Sequence, residues 1–213
     1  NEFLDALPTH QFVRKTGHWA EIGINVTEDE KLERIALPAS ISTDWFPEAA
    51  DQQEEGAIFE YSPAREAFIE ALATEIVEKN GAALLYDYGH LQSGYGDTFQ
   101  AVRDHAFAEP LTDPGKSDLT THVDFERLAK AAESAGIINP QLAEQGNFLL
   151  ALGLLERAGT LGHGKPLEVQ EAIRDAVERL AAPEAMGRLF KVFGFSSPPC
   201  ELPGFSDNTP KET

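Results

Sequence analysis

Two acidic residues at the start of the chain and three histidines near its middle have the types and spacing to do chemistry. Glu2 and Asp5 stand three residues apart in Asn1–Pro8, NEFLDALP. A helical turn there would put both carboxylates on one face. Two carboxylates converging in a pocket can hold a guanidinium through paired, charge-assisted hydrogen bonds. From spacing alone, the commoner fate of such a pair is a solvated acidic turn. His90 and His105 flank a glycine-rich loop, and His122 follows it. A histidine near a strand end is a candidate acid or base. Structural hydrogen bonding is its commoner use.

Other motifs point to less. His122-x-Asp124 could set two ligands on one side of a strand, but no third His or Cys at metal spacing accompanies them, so no metal is assigned. Asp124 reads more simply as a helix cap. Gly94-x-Gly96 resembles part of a dinucleotide fingerprint without its third glycine, and a flexible loop is the better reading. The chain has no G-x-S-x-G nucleophile motif and no G-x-x-x-x-G-K-[ST] phosphate loop.

The elements that must position these residues centre on Gly81–Phe125. Ala82–Tyr86 is a short apolar run ending in Asp87-Tyr88-Gly89, which reads as a buried strand with a functional loop after it. Ser62-Pro63 opens a helix whose inner face is expected at Phe68, Leu72, Ile76 and Val77, with Asn80-Gly81 closing it on a left-handed glycine. Val123–Gly136 is expected to be a second helix capped by Asp124. Gln11–Val13, Trp19–Val26 and the run to Leu37 read as an antiparallel hairpin or meander. Ile137-Ile138 is expected to begin a strand. Helix is preferred from Gly146 on, and Pro166–Leu180 is amphipathic. Leu189–Phe195 reads as a late strand, and an irregular tail is expected from Ser196.

Composition bounds the classes. A 42% hydrophobic chain of 213 residues can pack a core, and no run approaches the roughly 18 apolar residues of a membrane helix. One cysteine, Cys200, excludes an internal disulfide framework and favours an intracellular setting. Net charge is −19 with no cluster of Lys and Arg, which argues against a nucleic-acid surface and for cationic or neutral partners. The opening Asn1, with no initiator Met, reads as the start of a piece cut from a longer protein.

Four stretches together resemble the MidA-like S-adenosylmethionine-dependent methyltransferases. They are NEFLDALP, then LLYDYGHLQSGYGDTFQAVRDHAFAEPLTDPGKSDLTTHVDF, then QGNFLLALGLLERA and PEAMGRLFKVF. The resemblance runs from residue 1 to about Phe195. It implies an α/β fold of the Rossmann-like class I methyltransferase type, of which residues 1–195 would be the second half. Ala82–Tyr86 would be its fifth strand, the regions of Ile137 and Leu189–Phe195 its last two, and residues 19–37 a β insertion. It implies S-adenosylmethionine as cofactor, with Asn1 at the cofactor side. The glycine-rich loop and acidic residue that grip the cofactor in this fold belong to the first half, so this chain alone is expected to bind it poorly. The resemblance also implies a protein substrate, with arginine as methyl acceptor, held by Glu2 and Asp5. Asp87, Tyr88, His90, His105 and His122 then become candidate substrate contacts. A respiratory-complex subunit is the implied partner, in the bacterial cytoplasm or the mitochondrial matrix. A non-catalytic assembly chaperone on the same fold and a small-molecule methyltransferase are the alternatives.

Overall fold

A computed structural model of the chain describes residues 2–39, 41–42 and 45–205, so Asn1 lies outside the described residues. In chain order the strands are β1 (His10–Lys15), β2 (His18–Val26), β3 (Leu32–Pro38), β4 (Ile58–Tyr61), β5 (Ala82–His90), β6 (Gln100–Arg103), β7 (Ala106–Ala108), β8 (Asp118–Thr120), β9 (Val123–Asp124), β10 (Gln141–Glu144) and β11 (Phe190–Ser196). The helices are α1 (Pro63–Lys79), α2 (Phe125–Ser134), α3 (Gln145–Ala151), α4 (Leu154–Gly162) and α5 (Leu167–Ala181). They fall into two compact units. Of the described residues, one comprises those within 3–67 and 92–122, the other Glu2, 68–91 and 123–205.

The first unit is antiparallel. The expected meander forms a sheet in the order β3-β2-β1-β4. Its fourth strand, the four-residue IFEY, is too short to show alternation in the sequence. Phe12, Phe59 and Tyr61 form the buried centre, with Trp19, Phe46 and Tyr95 packed against them. The rings of Trp19 and Phe46 are 4.8 Å apart and those of Phe46 and Phe59 also 4.8 Å, in tilted arrangements. The expected glycine-rich loop is partly a second sheet, ordered β7-β6-β8. Its strands of three and four residues leave no periodic trace. Asp104 and His105 turn between β6 and β7 with φ of 52° and 62°, the left-handed pair that a tight hairpin of this hand requires.

The second unit carries the sheet β10-β11-β5-β9. β11 runs antiparallel between β5 and β10, while β9 pairs parallel with the end of β5. The fifth strand is longer than its apolar core suggested and ends at His90. Gly89 is required where β5 meets β9, because a Cβ there would sit 2.0 Å from the Val123 carbonyl oxygen. The penultimate strand begins at Gln141, three residues beyond Ile138, which is exposed. α2 starts at Phe125, after the short β9, and buries Phe125, Leu128, Ala131 and Ala132. α1 departs from expectation in part: Ile76 is buried as expected, but it continues a row of Arg65, Ile69 and Ala73, while Phe68 and Leu72 are half-buried and Val77 faces out. Asn80, with φ of 56°, takes the left-handed position assigned to Gly81.

Candidate functional site

The segment that carries the two acids is clamped by a buried arginine. Arg65, in the first turn of α1, is 4% exposed. Its Nε donates to the Leu4 carbonyl at 2.6 Å and its Nη1 to that of His122 at 2.7 Å. Its Nη2 donates to the Asp5 carbonyl at 2.9 Å, the Thr121 carbonyl at 3.0 Å and Thr121 Oγ1 at 2.6 Å. A planar guanidinium is the side chain that can serve so many acceptors from one place. The cap of α1 adds a second tie. Ser62 Oγ accepts from the Arg65 backbone N–H at 3.4 Å and donates to the Pro8 carbonyl at 2.6 Å.

Between these ties the chain makes one turn, with the Leu7 N–H donating to the Leu4 carbonyl at 3.1 Å. The turn takes in Asp5 and leaves Glu2 outside, which corrects the expectation of a shared helical face. Asp5 is 6% exposed. Glu2 is exposed, with φ of 45°, and its N–H donates to the Tyr86 carbonyl of β5 at 2.9 Å. A non-glycine residue in the left-handed region costs about 1–3 kcal/mol and persists where the surroundings over-determine it, often at functional sites.

Asp5 lines a pocket of about 320 Å³ in the first unit. Leu7, Ile22, Ile24, Phe99 and Leu119 supply apolar walls, and Thr9, Thr120 and Thr121 add hydroxyls. The Thr9 and Thr121 hydroxyls are 2.9 Å apart. At the edge, Arg34 pairs with Asp97 at 3.3 Å, and Asp97 accepts from Gln11 Nε2 at 2.8 Å. Gln11 also donates to Glu60 at 2.7 Å. Glu60 accepts from the backbone N–H of Thr98 at 3.0 Å and from its hydroxyl, whose oxygen accepts from the His122 N–H at 2.8 Å. His122 thus enters this network through its backbone, at both Thr98 and Arg65.

The other predicted site residues are spread out. His105 sits exposed in the β6–β7 turn and does not line the pocket. His90, in the second unit, has its Nε2 3.6 Å from Asp124 Oδ2. Asp124 Oδ1 meanwhile accepts from the Arg127 N–H at 3.1 Å, which is the expected cap of α2. Asp87 is fully buried, accepts from the Tyr88 N–H at 3.0 Å, and stands opposite Lys191 in the β5–β11 register. Tyr88 meets Phe190 edge-on at 5.6 Å. Burial raises the pKa of Tyr86 above the usual tyrosine value. Among the described residues no group of three or more His, Cys, Asp or Glu is placed to hold a metal ion. Arg65 was missed in the sequence, although it falls in the i, i+4, i+8 row of Ile69 and Ala73, where a charged residue needs an explanation.

A second pocket, of about 440 Å³, lies between α4 and α5. The first pocket has an acid and no glycine, and the second has glycines and no acid.

Comparison with solved structures defines the class. A Burkholderia thailandensis crystal structure, 24% identical, covers 97% of this chain and 56% of its own, with a TM-score of 0.84. A Burkholderia thailandensis protein solved with S-adenosyl-homocysteine bound is 25% identical over 97% of this chain and 53% of its own, with a TM-score of 0.80. The reversed β11 between β5 and β10 is thus part of a Rossmann-like class I methyltransferase fold. The family model described as "Putative S-adenosyl-L-methionine-dependent methyltransferase" matches residues 1–142, and the chain belongs to this MidA-like family. The chain is 34% identical over 199 residues to the mitochondrial protein arginine methyltransferase NDUFAF7 homologue of Drosophila melanogaster, covering 90% of this chain and 45% of that protein. It is 29% identical to human mitochondrial protein arginine methyltransferase NDUFAF7, covering 91% of this chain and 43% of that protein. The chain therefore spans less than half the length of these relatives.

Proposed function

We propose that the full-length protein transfers a methyl group from S-adenosylmethionine to an arginine of a partner protein, and that this chain supplies the acceptor side. The observation that carries this reading is the buried carboxylate of Asp5 at an apolar-walled pocket, on a turn clamped by Arg65. The pocket is at the small end of ligand pockets, which run from about 300 to 1,000 Å³. That size admits one long side chain. An arginine presents the matching chemistry, an aliphatic stem for Leu7, Ile22 and Leu119 and a cation for the acid.

A guanidinium is protonated at neutral pH and is a poor nucleophile. Carboxylates can orient one of its nitrogens and favour charge localisation there, so the contribution of Glu2 and Asp5 is positioning and electrostatics. Asn1 remains assigned to the cofactor side. Within the first unit, His122 supports the acceptor side through its backbone ties to Arg65 and Thr98; for Asp87, Tyr88, His90 and His105 a substrate contact is carried over from the resemblance alone. The relatives' names print a mitochondrial setting, and we take a respiratory-complex subunit as the client on the resemblance alone.

The test is Glu2→Gln and Asp5→Asn in the full-length protein, with turnover and cofactor binding measured separately. We expect methyl transfer to be lost in Glu2→Gln and strongly reduced in Asp5→Asn, with calorimetric affinity for S-adenosylmethionine retained. Unchanged turnover would remove these residues from the mechanism. Cofactor binding without turnover in the wild type, on any protein acceptor, would favour the assembly-chaperone alternative.

A further inference from the structure

Hydrogen-bond directions in the pocket of the first unit are fixed by groups that can only donate or only accept. Arg65 Nη2 donates to Thr121 Oγ1 at 2.6 Å, because a guanidinium has no acceptor. The Leu7 carbonyl accepts from Thr9 Oγ1 at 3.2 Å, because a carbonyl has no proton to give. A hydroxyl has one proton, and that of Thr9 is spent on Leu7. The 2.9 Å contact between the two hydroxyls is therefore donated by Thr121. The chain from Arg65 through Thr121 and Thr9 to Leu7 thus runs one way. It leaves Thr9 with a lone pair for the pocket and no free proton.

Gln11 is set in the same manner. It is 8% exposed, and its Nε2 donates to Glu60 at 2.7 Å and to Asp97 at 2.8 Å. Two carboxylates on one amide nitrogen fix the amide's orientation and use both of its protons. The amide oxygen, an acceptor, is what remains for the pocket that Gln11 lines. Asp5, Thr9, Gln11 and Thr121 therefore offer a ligand acceptors only. Thr120, whose Oγ1 accepts from Gln100 at 3.3 Å, keeps its hydroxyl proton, and Arg34 at the edge donates to Asp97. Such a wall fits a ligand that only donates. A guanidinium has five N–H donors and no acceptor, whereas a urea of the same shape brings a carbonyl oxygen that these acceptors repel.

On the reading of this pocket as the arginine acceptor site, we propose that Thr9 and Gln11 are specificity-determining residues that contact the guanidinium. Arg65 acts through Thr121 as a positioning residue, by turning the Thr9 hydroxyl into an acceptor. The test titrates the full-length protein, with S-adenosyl-homocysteine present, with acetyl-Gly-Arg-Gly-amide and with the same peptide carrying citrulline in place of arginine. The NMR methyl signals of Thr120 and Thr121 report occupancy of the pocket. Wild type should prefer the arginine peptide by at least about tenfold. Thr9→Val, which keeps the shape, should weaken arginine binding about tenfold, the loss of one charge-assisted hydrogen bond, and citrulline binding less. Thr9→Ser should restore the preference. Gln11→Met should narrow it as Thr9→Val does, and the fold should persist because Glu60 keeps Thr98 and Asp97 keeps Arg34. Equal losses for the two peptides would make Thr9 and Gln11 structural and overturn the proposal. Asp5→Asn separates the two readings. Loss of the arginine peptide in Asp5→Asn, with wild-type binding in Thr9→Val and Gln11→Met, would overturn the proposal and leave the acceptor site standing. An arginine peptide that moves neither threonine signal in wild type would overturn both.

Discussion

At the scale of single residues, the candidate site depends on a side chain that does no chemistry. Arg65 is buried, and its partners are the carbonyls of Leu4, Asp5, Thr121 and His122 and the hydroxyl of Thr121. The Leu4 and Asp5 carbonyls also accept from the Leu7 and Thr121 N–H groups at 3.1 Å, but removing the guanidinium withdraws a charged donor from every one of these acceptors at once. Each buried polar group left under-satisfied costs about 1–3 kcal/mol. We expect Arg65→Met to destabilise the protein by about 3–5 kcal/mol in urea unfolding. Arg65→Lys should recover only part of this, because an ammonium lacks the planar fork. Turnover should fall in Arg65→Lys even where the fold persists, since the turn bearing Asp5 is then less rigidly held. A full rescue by lysine would mean that charge alone, rather than the fork, holds the turn. The acids of NEFLDALP were legible because carboxylates at close spacing suggest a chemistry. Their different burial was not, because it is set by Arg65, about 60 residues further along.

At the scale of elements, legibility followed length. β2, β3, α1, α2 and α5 carry enough residues for a period or a cap to show. β4, β6, β7 and β8 are strands of three or four residues whose identity is fixed by partners in space. β11 is a revealing case, since its Phe- and Val-rich sequence was readable but the lysine inside it was not explained. Lys191 is buried in β11 opposite Asp87, with its Nζ donating to the carbonyls of Arg188 and Leu189. Burial holds its pKa below the usual lysine value of 10.5, with Glu144 opposing the shift and Arg188 adding to it. The unfolded chain therefore binds this proton more tightly than the folded one. Stability contributed at this position rises with pH between the depressed folded value and 10.5, and levels off above it. The urea midpoint of the wild type should gain on that of Lys191→Met as pH rises through the alkaline window below 10.5. Parallel pH profiles for the two proteins would show that Lys191 titrates no differently when folded.

At the scale of the whole molecule, the excess of 36 acidic over 17 basic side chains bears on how an acceptor arrives. If the acceptor is an arginine of a basic protein surface, the field of this chain draws it in over distances beyond contact. Salt shortens that reach, from a Debye length of about 30 Å at 0.01 M ionic strength to about 8 Å at 0.15 M. For a basic protein acceptor, kcat/KM of the full-length protein should fall by about tenfold or more across that range, a loss typical of steered association. kcat should hold, because the pocket and its clamp are local and little screened. A short acceptor peptide with one arginine and no other charge should lose far less. Equal salt sensitivity for the two acceptors would assign the effect to the guanidinium contact itself. Insensitivity of both would leave the acidic surface a role in solubility alone.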